Sequence, residues 1–260
     1  QAMDGNVALM GELAARTGVL ALGFAETPEG ARTLARSSLA EGFDAVQRSC
    51  ASRWQAWAGE IDIPEAPEQL RHQSCLSAMV LKAHEGRTYP GALIASLSIP
   101  CGNTSDSTGG YHLVWTRDAV EAAFALLAIG CVQDARRMLE YLIATQRADG
   151  CWSQNSYPDG RPFWTGVQLD EVGFPVLLAA RLAEDGAMGA LIGWTDMIAR
   201  AIGYVARNGP GSPQDRWEES AGISPFTLGI EIAALVCAAD HLPAEESAYA
   251  LSLADYWNER

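Results

Sequence analysis

A chain of 260 residues, 48% hydrophobic and 19% charged, is composed like a folded protein and can bury a sizeable core. Its 18 basic residues against 32 acidic ones give a formal charge of -14, which disfavours nucleic acid and anionic membranes as partners and suits a neutral ligand such as a sugar. No apolar run approaches the roughly 18 residues of a membrane span, and the start QAMDGNVALMGELAAR has neither a basic leader region nor a cleavage pattern.

Six cysteines stand singly at 50, 75, 101, 131, 151 and 237, without CxxC pairs or Cys/His metal spacing. They read as free thiols of a reducing compartment, so a cytoplasmic location is expected, with no cofactor and no metal.

Residues 17–24, TGVLALGF, read as a short strand. Thr27 followed by Pro28 is a helix start, a capping side chain and then proline in the first turn. Apolar residues at Ala31, Ala35, Leu39, Phe43, Val46, Cys50, Trp54 and Trp57 share one helical face and predict a single long helix ending near Gly59. EIDIPEAPEQ, residues 60–69, has two prolines among its acids and reads as a linker. The predicted domains are therefore residues 1–69 and 70–260.

Beyond the linker the chain alternates between two kinds of helix. Residues 72–84, 118–129, 170–183 and 225–239 are apolar on most sides; 132–147, 193–208 and 244–260 are amphipathic. A helix apolar all round is buried on both sides and one with a polar face lies outside. The alternation predicts an all-α fold, an α/α toroid with an inner ring of helices and an outer ring. The competing reading is an irregular helical domain. Asp118 and Asp170 open successive inner helices 52 residues apart, and Pro225 opens the next 55 residues later. The loops between, ADGCWSQNSYPDGRPFW and GPGSPQDRWEESAGIS, are long and rich in Trp, Gly and polar residues, as site-building loops are. Four inner helices are counted where a ring of six needs two more, so the sequence is expected to be truncated at its C-terminal end.

Three clusters carry candidate chemistry. QDRWEES, residues 214–220, sets Trp217 beside Glu218 and Glu219. YHLVWTRDAV, residues 111–120, places Tyr111 and Trp115 around the Arg117–Asp118 pair. GRPFWTGVQLDEVGFP, residues 160–175, places Trp164 ahead of Asp170. Taken singly, adjacent loop glutamates are ordinary solvated surface, and an acid at a helix start is ordinary capping. Taken together, three loops ending at the same end of a ring converge flat rings for sugar faces and charged groups for hydroxyls. Glycoside hydrolysis needs that platform and a carboxylic acid to protonate the leaving oxygen.

These segments resemble those of glycoside hydrolase family 15, the glucoamylase group. YHLVWTRD is similar to the family's Tyr-x-x-x-Trp-x-Arg-Asp segment, WTGVQLD to its Trp loop with an Asp six residues on, and DRWEE to the segment of its catalytic acid. The resemblance covers about residues 70–260 and implies an incomplete (α/α)6 toroid, with about four of six helical hairpins. It implies Glu218 as general acid, and Tyr111, Trp115, Arg117, Asp118, Trp164, Asp170, Trp217 and Glu219 as substrate-binding residues. Residues 17–58 resemble the end of an N-terminal β-sandwich and its linker helix.

The implied function is part of an inverting, exo-acting α-glucan hydrolase that releases glucose from non-reducing ends. The family's general base lies far downstream, so these 260 residues alone are expected to be inactive. Uncovered helices are expected to drive self-association. Two alternatives stay open: a sugar-binding or regulatory fragment without catalysis, and a trehalase or dextran-specific member of the same family. An unrelated toroid such as a polysaccharide lyase would want a cationic cleft, against the charge of -14.

Overall fold

The computed structural model describes residues 16–63, 67–97 and 111–259. The chain forms two compact units, Gln1–Gly59 and Glu60–Arg260.

The first unit holds α1 (Pro28–Glu41) and α2 (Phe43–Ala58), which pack on each other. Thr27 caps α1 as its sequence predicts: the Gly30 N–H donates to Thr27 Oγ1 at 3.1 Å. The single helix expected from Pro28 to Gly59 is instead two. Gly42 adopts φ 88°, outside the helical region and open to glycine without steric cost, and breaks the run. The apolar periodicity continues across the break, which is why the sequence pattern alone hides it. The strand expected at 17–24 is also corrected. Those residues run without regular structure, and no strand among the described residues pairs with them. A strand is stabilised by a ladder to a neighbour, and β-propensity without one does not create it.

The second unit is all-α. Among the described residues its helices are α3 (Glu68–Ala83), α4 (Thr116–Ala128), α5 (Val132–Thr145), α6 (Leu169–Glu184), α7 (Trp194–Asn208), α8 (Pro225–Ala238) and α9 (Ala244–Asn258), with a 3-10 turn, Ala239–His241, after α8. The expected inner helices 72–84, 118–129, 170–183 and 225–239 correspond to α3, α4, α6 and α8. The expected outer helices correspond to α5, α7 and α9.

The packing shows the two layers directly. α4 lies against α6, and α6 against α8; α5 packs on α4 and α6, α7 on α6 and α8, and α9 on α8. Burial follows the sequence. In α6 every residue from Leu169 to Val176 is buried, while in α7 burial falls on Met197, Ile198, Ala201, Ile202 and Val205, the one-sided spacing of an outer helix. Gly173 sets the closeness of the α6–α8 pair, because a Cβ there would press on the Ile230 side chain. This is the arrangement of an α/α toroid.

A half-buried ionic knot ties the start of this unit to its outer layer. Glu85 accepts from Arg137 Nε at 2.9 Å and from Lys82 Nζ at 2.5 Å; Lys82 and Arg137 also bond the buried Asp134. Burial alone would raise the Glu85 carboxyl, but the bonds from Arg137 and Lys82 outweigh it and bring its pKa down to about 2.

Candidate active site

The segments leading into α4, α6 and α8 build one end of the helical layer. Tyr111 and Trp115 stack with ring centroids 5.9 Å apart, and Trp115 meets Trp164 edge-on at 6.2 Å. Trp164 is fixed from its own loop, its N–H donating to Asn155 Oδ1 at 2.9 Å. That loop reaches back to the segment before α4 through paired Val114 and Ser156 backbones, at 2.8 and 3.0 Å. The three rings therefore form one continuous aromatic wall drawn from two loops.

The third loop closes the opposite side. Ser212 and Gly222 pair their backbones at 2.9 and 3.0 Å, and Ser212 Oγ accepts from the Leu169 N–H at 3.1 Å, tying the loop to the start of α6. At its tip, Asp215 organises a tight turn. Its Oδ1 accepts from the Trp217 and Glu219 N–H groups at 3.0 and 3.1 Å, and its carbonyl accepts from Glu218 N–H at 2.9 Å. Glu218 sits in that turn with φ 66°, a left-handed conformation unusual for a glutamate and kept only where surroundings over-determine it.

Tyr111, Trp115, Trp164, Arg117, Asp118, Trp217 and Glu218 all line one cleft of about 450 Å³. Trp115 is nearly buried in its wall, while Trp217 is 68% exposed at its rim. Asp118 is open to solvent within the cleft, yet the surrounding protein still desolvates its carboxyl and raises its pKa, against the opposing pull of Arg117.

Two predicted site residues stand elsewhere. Glu219 is exposed beside the cleft rather than lining it. Asp170 is wholly buried beneath the cleft, where its Oδ2 accepts from Arg117 Nη1 at 2.6 Å. Arg117 is thus bound from below, also donating to Gln168 Oε1 at 2.8 Å and lying 3.8 Å from Glu171.

Beneath lies a set of buried carboxyls that the sequence reading missed. Glu171 and Glu231 join Asp170, each at most 1% exposed. Burial, chiefly, lifts the Glu171 carboxyl well above its ordinary range and, with the nearby Asp170 charge, brings Glu231 to about 7. Asp170 and Glu171 are neighbours on α6 while Glu231 comes from α8, so no local motif announces the set. Arg216 and Asp215 were also missed. The signal for Asp215 was in the sequence, since an acid two residues before a loop Trp can accept from its amide.

Residues 71–149 and 145–252 match the sequence family Glycosyl hydrolases family 15. The chain belongs to that family. Residues 1–59 match Glucodextranase, domain N. A glucoamylase from Clostridium sp. (strain G0005) is 36% identical over 222 residues, 85% of this chain and 30% of that protein. An uncharacterised glycosyl hydrolase of Methanocaldococcus jannaschii is 35% identical over 136 residues, 49% of this chain and 21% of that one. Among solved structures, a bacterial glucoamylase complexed with acarbose superposes with a TM-score of 0.77 at 33% identity, over 91% of this chain and 35% of that one. The glucoamylase of Saccharomycopsis fibuligera, at 18% identity and a TM-score of 0.56 over 77% of this chain and 49% of that one, shares the fold. The chain has the helical toroid of glucoamylases and spans about a third of the length of the glucoamylases it matches.

Proposed function

We propose that this chain carries the acid side of an inverting, exo-acting α-glucan hydrolase. The observation that carries the reading is the cleft itself. Tyr111, Trp115 and Trp164 offer faces for a glucose ring, and Glu218 meets them from the third loop on a strained backbone. In this reading Glu218 protonates the glycosidic oxygen. Asp118 accepts from sugar hydroxyls, Arg117 donates to them from its Asp170 anchor, and Trp217 covers the rim. Glu219 binds the substrate beside Glu218, and Asp170 acts through Arg117.

A neutral glucan needs no ionic partner in the cleft, which agrees with the charge of -14. The bacterial glucoamylase with acarbose makes that compound the natural probe. Exo-action follows from recognition of a non-reducing-end glucose by the Arg117–Asp118 pair.

Inversion needs a second carboxylate roughly 6.5–9.5 Å from the acid, with water between. The described cleft-lining carboxylates are Asp118 and Glu218, and the reading gives Asp118 to hydroxyl binding. We therefore assign the base to sequence outside residues 1–260, and propose that these residues alone bind glucan without turning it over. A cytoplasmic site of action stays part of the proposal, supported by the free thiols of Cys50, Cys75, Cys131, Cys151 and Cys237.

The test compares the protein its full gene encodes with residues 1–260 alone on maltotetraose. The full protein should release glucose and maltotriose first, and the 260 residues should bind acarbose without releasing glucose. Maltose as the first product of the full protein would overturn exo-release of single glucose units.

A further inference from the structure

Arg216 is a cation one residue from Trp217 and two from Glu218, yet it makes no ion pair among the described residues. Its guanidinium carbon instead lies 4.7 Å from the centroid of the Trp217 ring and 4.7 Å from that of Phe226. A flat, delocalised cation between two aromatic faces is a stable stacking unit, and the planarity belongs to arginine and not to lysine.

The two rings belong to different parts of the site. Trp217 stands on the exposed tip of the third loop. Phe226 is the second residue of α8, and its ring lies 6.2 Å from that of Phe174 in the buried helix α6. The Asp215 turn fixes the internal shape of the tip, but its bonds are all within residues 215–220 and do not say where the tip sits over the helices. Arg216 supplies that information from two sides. Its side chain reaches α8 through Phe226, and its carbonyl accepts from Arg117 Nη2, on α4, at 3.5 Å.

We propose that Arg216 is a positioning residue for the acid, its guanidinium held between Trp217 and Phe226 so that the loop tip keeps the Glu218 carboxyl in line with the leaving oxygen. The inference rests on the reading of Glu218 as general acid and concerns how that acid is held. A misplaced acid harms only those substrates whose leaving group needs a proton. Fluoride departs without one, whereas a glucosyl leaving group does not.

The experiment measures kcat on maltotetraose and on α-glucosyl fluoride for the protein its full gene encodes, in the R216A, R216K, F226L and E218Q variants. R216A should lose about tenfold on maltotetraose, as expected for an acid displaced by a fraction of an ångström, and keep fluoride turnover within about threefold. R216K, with the charge but not the flat face, should recover only part of that loss. F226L removes the other face of the stack and should show the same split more mildly; if R216A does not fold, R216K and F226L carry the test. Equal losses on both substrates, or no loss, in variants that fold would overturn the proposal. E218Q separates the two claims. A split in E218Q but not at Arg216 sinks the positioning role alone, and the absence of a split in E218Q sinks the acid assignment beneath it.

Discussion

Arg117 reaches across the helical layer to Asp170, Nη1 to Oδ2 at 2.6 Å, with the carboxylate wholly excluded from solvent. The two residues open consecutive inner helices, so this pair locks the start of α4 to the start of α6 directly beneath the cleft. It also explains why the Arg117 guanidinium, which lines the cleft, is not free to swing.

Asp170→Asn removes the buried charge that Arg117 pairs with at 2.6 Å, leaving it Gln168 and the more distant Glu171. Removing one member of a buried pair costs about 3 kcal/mol or more, so urea denaturation at pH 7 should show a loss of that order. Acarbose affinity should fall as well, because Arg117 loses its anchor. A variant as stable as the parent would mean that the pair contributes nothing net to the fold.

Two carboxyls, the half-buried Glu85 and the buried Glu231, give opposite pH dependences. Glu85 has a pKa of about 2 in the fold against 4.5 unperturbed, so its contribution is full above pH 4.5 and is lost as pH falls towards 2. Glu231 is the reverse. Its folded pKa of about 7 means that the native state binds the proton more tightly, so stability falls as pH rises from 4.5 to 7. Glu231→Gln should flatten the decline above pH 4.5, and Glu85→Gln should flatten the acid limb. Denaturant midpoints across that range decide both; an unchanged slope in either variant refutes that assignment.

The toroid was legible because inner and outer helices differ in sequence: α6 is buried almost throughout and α7 on one face. The cleft rings were legible because Trp115, Trp164 and Trp217 each stand shortly ahead of an acid in a segment that leads into an inner helix. The break at Gly42 was not, since a one-residue interruption leaves the apolar period intact on both sides. Asp170 looked like a cleft residue by position, and only the three-dimensional pairing with Arg117 shows it to be underneath. Glu231 was invisible for the same reason: its meaning comes from Asp170, on another helix.

Trp217 offers a clean separation of binding from folding. At 68% exposure it contributes little to the core, so Trp217→Ala should change stability by no more than about 0.5 kcal/mol. Acarbose binding by calorimetry should weaken about tenfold, in line with loss of one aromatic face. Unchanged affinity would remove Trp217 from the sugar-binding surface.

Exposed apolar side chains on α3, among them Leu70, Leu76 and Val80, leave a face that favours self-association of these 260 residues. Light scattering should show a mass that rises with concentration, and Leu76→Glu with Val80→Glu should abolish the rise. A concentration-independent monomer would contradict this.

The most direct test of the central claim is the anomer of the glucose released from maltotetraose by the protein its full gene encodes, followed by proton NMR before mutarotation. The account predicts β-glucose from the wild type. It predicts a loss of about 10²–10⁴-fold in kcat for Glu218→Gln, with acarbose still bound. Release of α-glucose, or near-normal turnover by Glu218→Gln, would contradict it.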